Sequence, residues 1–125
     1  FHIWRTEVQT MKISTLFKDE IAAFGEARAR NDVKLAWHHL ERAHILSQRY
    51  LGLHLASHRA MLAFAIRQRD WNEALGQIFR LILAPIGALT GKLPIGNTGR
   101  STVSASQPMP IPPDLLELLQ DGIGE

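Results

Sequence analysis

Hydrophobic positions recur with the period of a helix through the first two thirds of the chain. Ile13, Phe17, Ile21 and Phe24 fall on one face, with Leu16 beside them, which predicts a helix from Ile13 to Arg30 with one buried side. Asn31 and Asp32 interrupt the pattern and offer side-chain oxygens to the free N–H groups of a second helix, Val33 to about Arg49. Gly52 is the expected stop of that helix. A third helix is expected from about Leu53 to Gln68. A fourth starts at Asp70, where Glu73 completes a D-x-x-E capping arrangement, and Pro85 is expected to end it.

Asp32 followed by Ala36 recurs as Asp70 followed by Ala74, an offset of 38 residues, and both pairs follow an Arg-rich helix end. Two helical hairpins are implied. QRDWNEALGQIFRL resembles the second helix of a tetratricopeptide unit, and VKLAWHHLERAHIL takes the equivalent place in the first. The period exceeds the roughly 34 residues usual for that repeat, so the likeness serves as a guide to packing. The expected fold is all-α, with four main helices in two antiparallel hairpins.

From Gly87 to Pro113 the pattern lapses into GALTGKLPIGNTGRSTVSASQPMPIPP, 27 residues rich in Gly, Ser, Thr and Pro. Leu93, Ile95, Val103, Met109 and Ile111 favour a segment that wraps the body over a free linker. A short helix is then expected from about Pro113, docking through Leu115, Leu116, Leu118 and Leu119. The chain divides into an extension over 1–12 with little structural role, a helical core over 13–86, and a wrapping segment with its helix over 87–125.

Length and composition bound the class. At 125 residues, 46% hydrophobic and 21% charged, the chain suits one globular domain. No apolar run approaches the roughly 18–20 residues that cross a bilayer, and FHIWRTEVQT has no secretory h-region, so a cytoplasmic protein without membrane contact is expected. Lys and Arg are spaced singly with few aromatics between them, which argues against nucleic acid. Residues 1–100 carry 14 basic and 8 acidic groups and residues 101–125 carry none and 4, so the acidic tail should lie against the basic body.

Chemistry concentrates in AWHHLERAHILSQRYLGLHLASHRAML, which holds five of the six histidines. Each helical residue advances about 100°, so spacings of i, i+4, i+7 and i+11 share a narrow face. In the second helix that face holds Trp37, Glu41, His44 and Gln48; in the third it holds His54, His58, Met61 and Ala65. Antiparallel pairing about Leu51 sets Gln48 with His54, His44 with His58, Glu41 with Met61, and Trp37 with Ala65. Polar partners meet near the turn and apolar ones away from it. His38 and His39 rotate off the face and should be exposed, and His2 is terminal.

With no cysteine in the chain, a metal would be held by nitrogen and oxygen. His44, His54, His58 and Glu41 form a set suited to one zinc, nickel, copper or iron ion, with Gln48, Trp37, Gln77 and Arg80 as candidate pocket residues. A di-iron carboxylate site is disfavoured, because the third helix does not repeat Glu-x-x-His. The competing reading is a polar network in which the histidines only hydrogen-bond and set helix register. Gln77 and Arg80 either cap the cluster from a third side or face water. GNTG, Gly96 to Gly99, reads as a tight turn before an anion nest, TGK lacks the phosphate-loop spacing, and no nucleophile elbow is present.

AWHHLERAHILSQ, HLASH followed by ML, RDWNEALGQIFR, and PIGNTG with PMPIPPDL resemble, in that order, a bacterial domain-of-unknown-function family, family 3703. The resemblance implies that Glu41, Arg42, His44, Gln48, His54, His58, Gln77, Arg80 and the GNTG segment belong to a shared pattern. It implies no activity. The functional expectation is a binding protein with a His-rich metal pocket between the second and third helices. The alternative is a tetratricopeptide-like interaction module that takes a protein partner or a second copy, with the histidines structural. An enzyme, with Glu41 as base, has the least support.

Overall fold

The computed structural model describes residues 2–90, 96–104 and 107–123, with side-chain surroundings for 7–90, 96–104 and 107–120. Among them are five helices: α1 (His2–Ala29), α2 (Val33–Ser47), α3 (Leu51–Arg67), α4 (Trp71–Thr90) and α5 (Pro113–Ile123). Helices α1 and α2 form one hairpin and α3 and α4 a second; α2 packs on α3 to join them, and α5 docks against α1 and α2. The fold is all-α.

Both hairpins turn in the same way. Asn31 and Arg69 take left-handed φ of 61° and 57°, and the Asp that follows each bonds its N–H to the carbonyl five residues back, Asp32 to Ala27 and Asp70 to Ala65, both at 2.9 Å. That backbone pattern satisfies the last free carbonyls of the preceding helix. Each Asp then caps the next helix: Asp32 Oδ1 accepts from the Leu35 N–H at 3.1 Å and Asp70 Oδ1 from the Glu73 N–H at 3.2 Å. The repeat seen at an offset of 38 is therefore a repeated turn.

The buried faces follow the periodicity. Ile13, Phe17 and Phe24 are buried, and Phe24 and Trp37 each meet the Phe64 ring edge-on at 5.2 Å, inside a core that Leu40, Met61 and Ala65 complete. Leu115 of α5 is fully buried against Ile45 and Leu46, with Leu118 and Leu119 packed beside it, while Leu116 stays exposed. Asp114 grips Arg42 with both oxygens, at 2.6 and 3.2 Å, so the acidic tail meets the basic body there.

Several boundaries differ from expectation. Helix α1 begins eleven residues before Ile13 and takes in the stretch expected to be an extension. Helix α4 continues five residues past Pro85, because a proline inside a helix removes one N–H and the flanking turns still close. The break between α2 and α3 falls at residues 48–50, and Gly52 lies in the first turn of α3. His39 is half-buried, not exposed, and bonds Glu20 at 2.8 Å, while His38 is exposed. Leu93 and Ile95 of the expected wrap, and the side chain of His2, lie outside the described residues. Helix α4 is, among the described residues, the one helix long and apolar enough to cross a membrane by length and composition, although the sequence holds no uninterrupted apolar run of that length.

Candidate metal centre

Three imidazoles converge at the corner between α2 and α3. His44 stands in the last turn of α2, His54 in the first turn of α3, and His58 one turn further on. The α2–α3 break brings His44 against both. His54 Nε2 lies 3.0 Å from His44 Nε2 and 3.1 Å from His58 Nε2, and the ring centroids stand 4.7–4.8 Å apart. All three residues are buried, at 2–5% exposure.

The outer nitrogens identify the proton positions. His44 Nδ1 is 2.7 Å from the carbonyl oxygen of Asn97, which can only accept. His44 therefore carries its proton on Nδ1 and turns an Nε2 lone pair inward. Gln77 orients His58 in the same sense. Its Nε2 donates to Glu73 Oε2 at 2.7 Å and to the Gly99 carbonyl at 2.8 Å, so the amide oxygen is the end that faces His58 Nδ1, at 2.7 Å. His58 Nδ1 must donate. Two of the three inward nitrogens are thus lone pairs, and only His54 can place a proton among them.

Burial opposes any further proton. It is the largest cause driving His44 well below 6.5, with His58 and His54 adding to it. It also drives His54 down to about 4, with His58 contributing. His58 falls chiefly by burial, against the bond to Gln77 and Glu73 and together with Arg80. Burial alone would raise the Glu73 carboxyl, but the Ser101 N–H, Arg100 and Gln77 outweigh it and hold the group low and ionised.

The segment 96–104 closes the site, and sequence reading missed this role. Gly96 donates to Gln48 Oε1 at 2.9 Å, the Asn97 carbonyl accepts from His44 Nδ1, and the Gly99 carbonyl accepts from Gln77 Nε2. Asn97 is buried and holds the segment's shape, accepting from the Gly99 N–H and donating to the Ser104 and Gln107 carbonyls at 2.7–2.8 Å. Gly99 has φ 84°, and a Cβ there would stand 2.7 Å from the His44 ring. The two glycines of GNTG were legible as turn formers; their target was not.

Other expected site residues divide. Gln77 does cap the cluster from a third side. Arg80 is buried beside it but donates to the Val103 and Gly76 carbonyls, so it braces the segment and adds positive charge near His44 and His58. Glu41 is not brought to the histidines: its Oε2 lies 3.3 Å from Arg100. Arg100 also bonds Glu73 at 2.8 Å and lies over the Trp37 ring at 3.8 Å, which accounts for Glu41 and Trp37 together. Likewise Glu73 does not close the capping box, because its carboxylate turns inward to Gln77, Arg100 and Ser101. Gln48 sits under Gly96.

Among the described residues, His44, His54 and His58 are the group whose donor atoms, all within 4.8 Å of one another, could hold a metal ion. No curated protein matches the chain, and no solved structure matches it, of tetratricopeptide type or any other. Residues 11–119 match the family described as "Protein of unknown function (DUF3703)", whose span takes in every element of this site. The chain belongs to that family.

Proposed function

We propose that the protein binds one divalent transition-metal ion, zinc in the first place, through Nε2 of His44, His54 and His58. The observation that carries this reading is the proton deficit: His54 Nε2 touches the Nε2 atoms of both His44 and His58, and one proton is available among the three. A hydrogen-bond network needs a proton between each pair in contact, whereas a cation satisfies all three lone pairs at once. Zinc–nitrogen bonds of about 2.0–2.1 Å in tetrahedral geometry set ligand nitrogens roughly 3.3 Å apart. The contacts of 3.0 and 3.1 Å that His54 makes need to open by only a few tenths of an ångström, and all three donor atoms lie within 4.8 Å of one another.

The surroundings support it. Metal-bound histidines usually give their second N–H to a carbonyl or carboxylate, which fixes the ring and raises its basicity. Here Asn97 serves His44, and the Gln77–Glu73 relay serves His58. An uncharged three-nitrogen set leaves the ion's charge intact and one tetrahedral position for a fourth ligand; copper, nickel and iron remain chemically compatible.

Elemental analysis of purified untagged protein, followed by zinc titration against a chromophoric chelator, tests this. One bound ion per chain is expected, with binding abolished in His44→Ala and His58→Ala. Gln77→Leu should weaken it about 10–100-fold while helix content is kept, because His58 loses its anchor. A parent protein that takes up none of the four metals would sink the reading and leave a structural network around a single shared proton.

A further inference from the structure

Helix α4 has two faces of opposite character. Glu73, Gln77 and Arg80 point inward and are bound to the histidine site and its covering segment. The outward face is bare and apolar: Trp71, Leu75, Ile78, Ile82, Ile86 and Leu89 are 45–88% exposed, with Phe79 alongside at 56%. They fall three or four residues apart, the spacing of a helix–helix seam. No exposed residue of α4 is charged.

We propose that this face joins two copies of the chain in a twofold homodimer, α4 packed antiparallel on α4. The stripe is nearly symmetric about residue 80, which suits an isologous contact in which one surface must complement itself. Trp71 then faces Leu89 of the partner subunit, Leu75 faces Ile86 of the partner subunit, and Ile78 faces Ile82 of the partner subunit. At these exposures the seven large side chains leave on the order of 700–800 Å² open, beyond the roughly 300–600 Å² patch of an ordinary monomer. That area approaches the roughly 800 Å² that each partner contributes to a standard interface. A membrane fits the face less well. Crossing one would pull Glu73, Gln77 and Arg80 into hydrocarbon, and lying on an anionic surface would call for exposed Lys or Arg along the helix, which α4 lacks.

Sedimentation equilibrium of the full chain should give twice the 14.0 kDa chain mass at micromolar concentration. Leu75→Glu with Ile82→Glu, both on exposed positions, should give the single-chain mass with helix content and zinc uptake kept. The chain has no cysteine, so Phe79→Cys reports the axis directly. It should crosslink to itself on mild oxidation, whereas Leu89→Cys, opposite Trp71, should not. The crosslinking pattern decides the matter even if the charged variant fails to fold. A monomeric parent, a dimer unchanged by both glutamates, or a monomer that floats with phosphatidylserine vesicles would overturn the proposal.

Discussion

His44 and His58 each donate an Nδ1–H hydrogen bond to an oxygen that can only accept, and this pair of bonds turns a hydrogen-bonding residue into a lone-pair donor aimed at the cluster. The electrostatic consequence can be measured. In the metal-free protein the three imidazoles are neutral when folded, because burial lowers each of them, His54 from 6.5 to about 4. The unfolded chain binds more protons than the folded one between those values. The stability tied to the cluster is therefore complete above about pH 6.5 and is lost as pH falls towards 4. Urea midpoints of the metal-free protein should drop across that window, and His54→Gln should flatten the slope; a midpoint rising as pH falls would contradict neutral buried rings. Helical spacing showed which histidines share a face. It could not show the tautomers, because the accepting oxygens belong to Asn97 and to Gln77, far along the chain.

At the scale of elements, local chemistry accounts for most of what forms. Asp32 and Asp70 cap as their sequence positions imply, and the buried face of α1 is the one its periodicity predicts. Proline reads less directly. Pro85 does not end α4, since its ring fits helical φ and both its missing N–H and its crowding of the carbonyl one turn back are local, so α4 runs on to Thr90. Placing it inside the helix still costs stability relative to alanine. Pro85→Ala should raise the unfolding free energy by roughly 1–3 kcal/mol, seen as a higher thermal midpoint. A lower midpoint would mean that the ring's packing outweighs the regained hydrogen bond. Gly52 was misleading for a related reason: in the first turn of a helix its N–H has no intrahelical partner to lose, so it is tolerated there.

Over the whole molecule, Arg100 ties the covering segment to both hairpins. It bonds Glu73 of α4 and Glu41 of α2 and stacks on Trp37 of α2. The Glu73 carboxylate is 2% exposed, so losing its partner leaves a charge with little water to replace it. Arg100→Ala should lower unfolding free energy by about 3 kcal/mol, discounted from the fully buried case because Arg100 itself is 19% exposed. Amide exchange across 96–104 should quicken with it. A loss below about 1 kcal/mol would show that the bonds from Gln48, Asn97 and Ser101 hold the segment without the arginine.

The sequence alone determined the helices, their buried faces and the gathering of His44, His54 and His58, because those follow from residues a few positions apart whose geometry the helix repeats. Only the tertiary structure decided what surrounds them. Glu41 turns to Arg100, 59 residues away, and Asn97 reaches His44 across 53. No local period encodes such pairings. They are selected by burial, since each charged or polar group enclosed by the fold must find a partner among whatever the packing brings near.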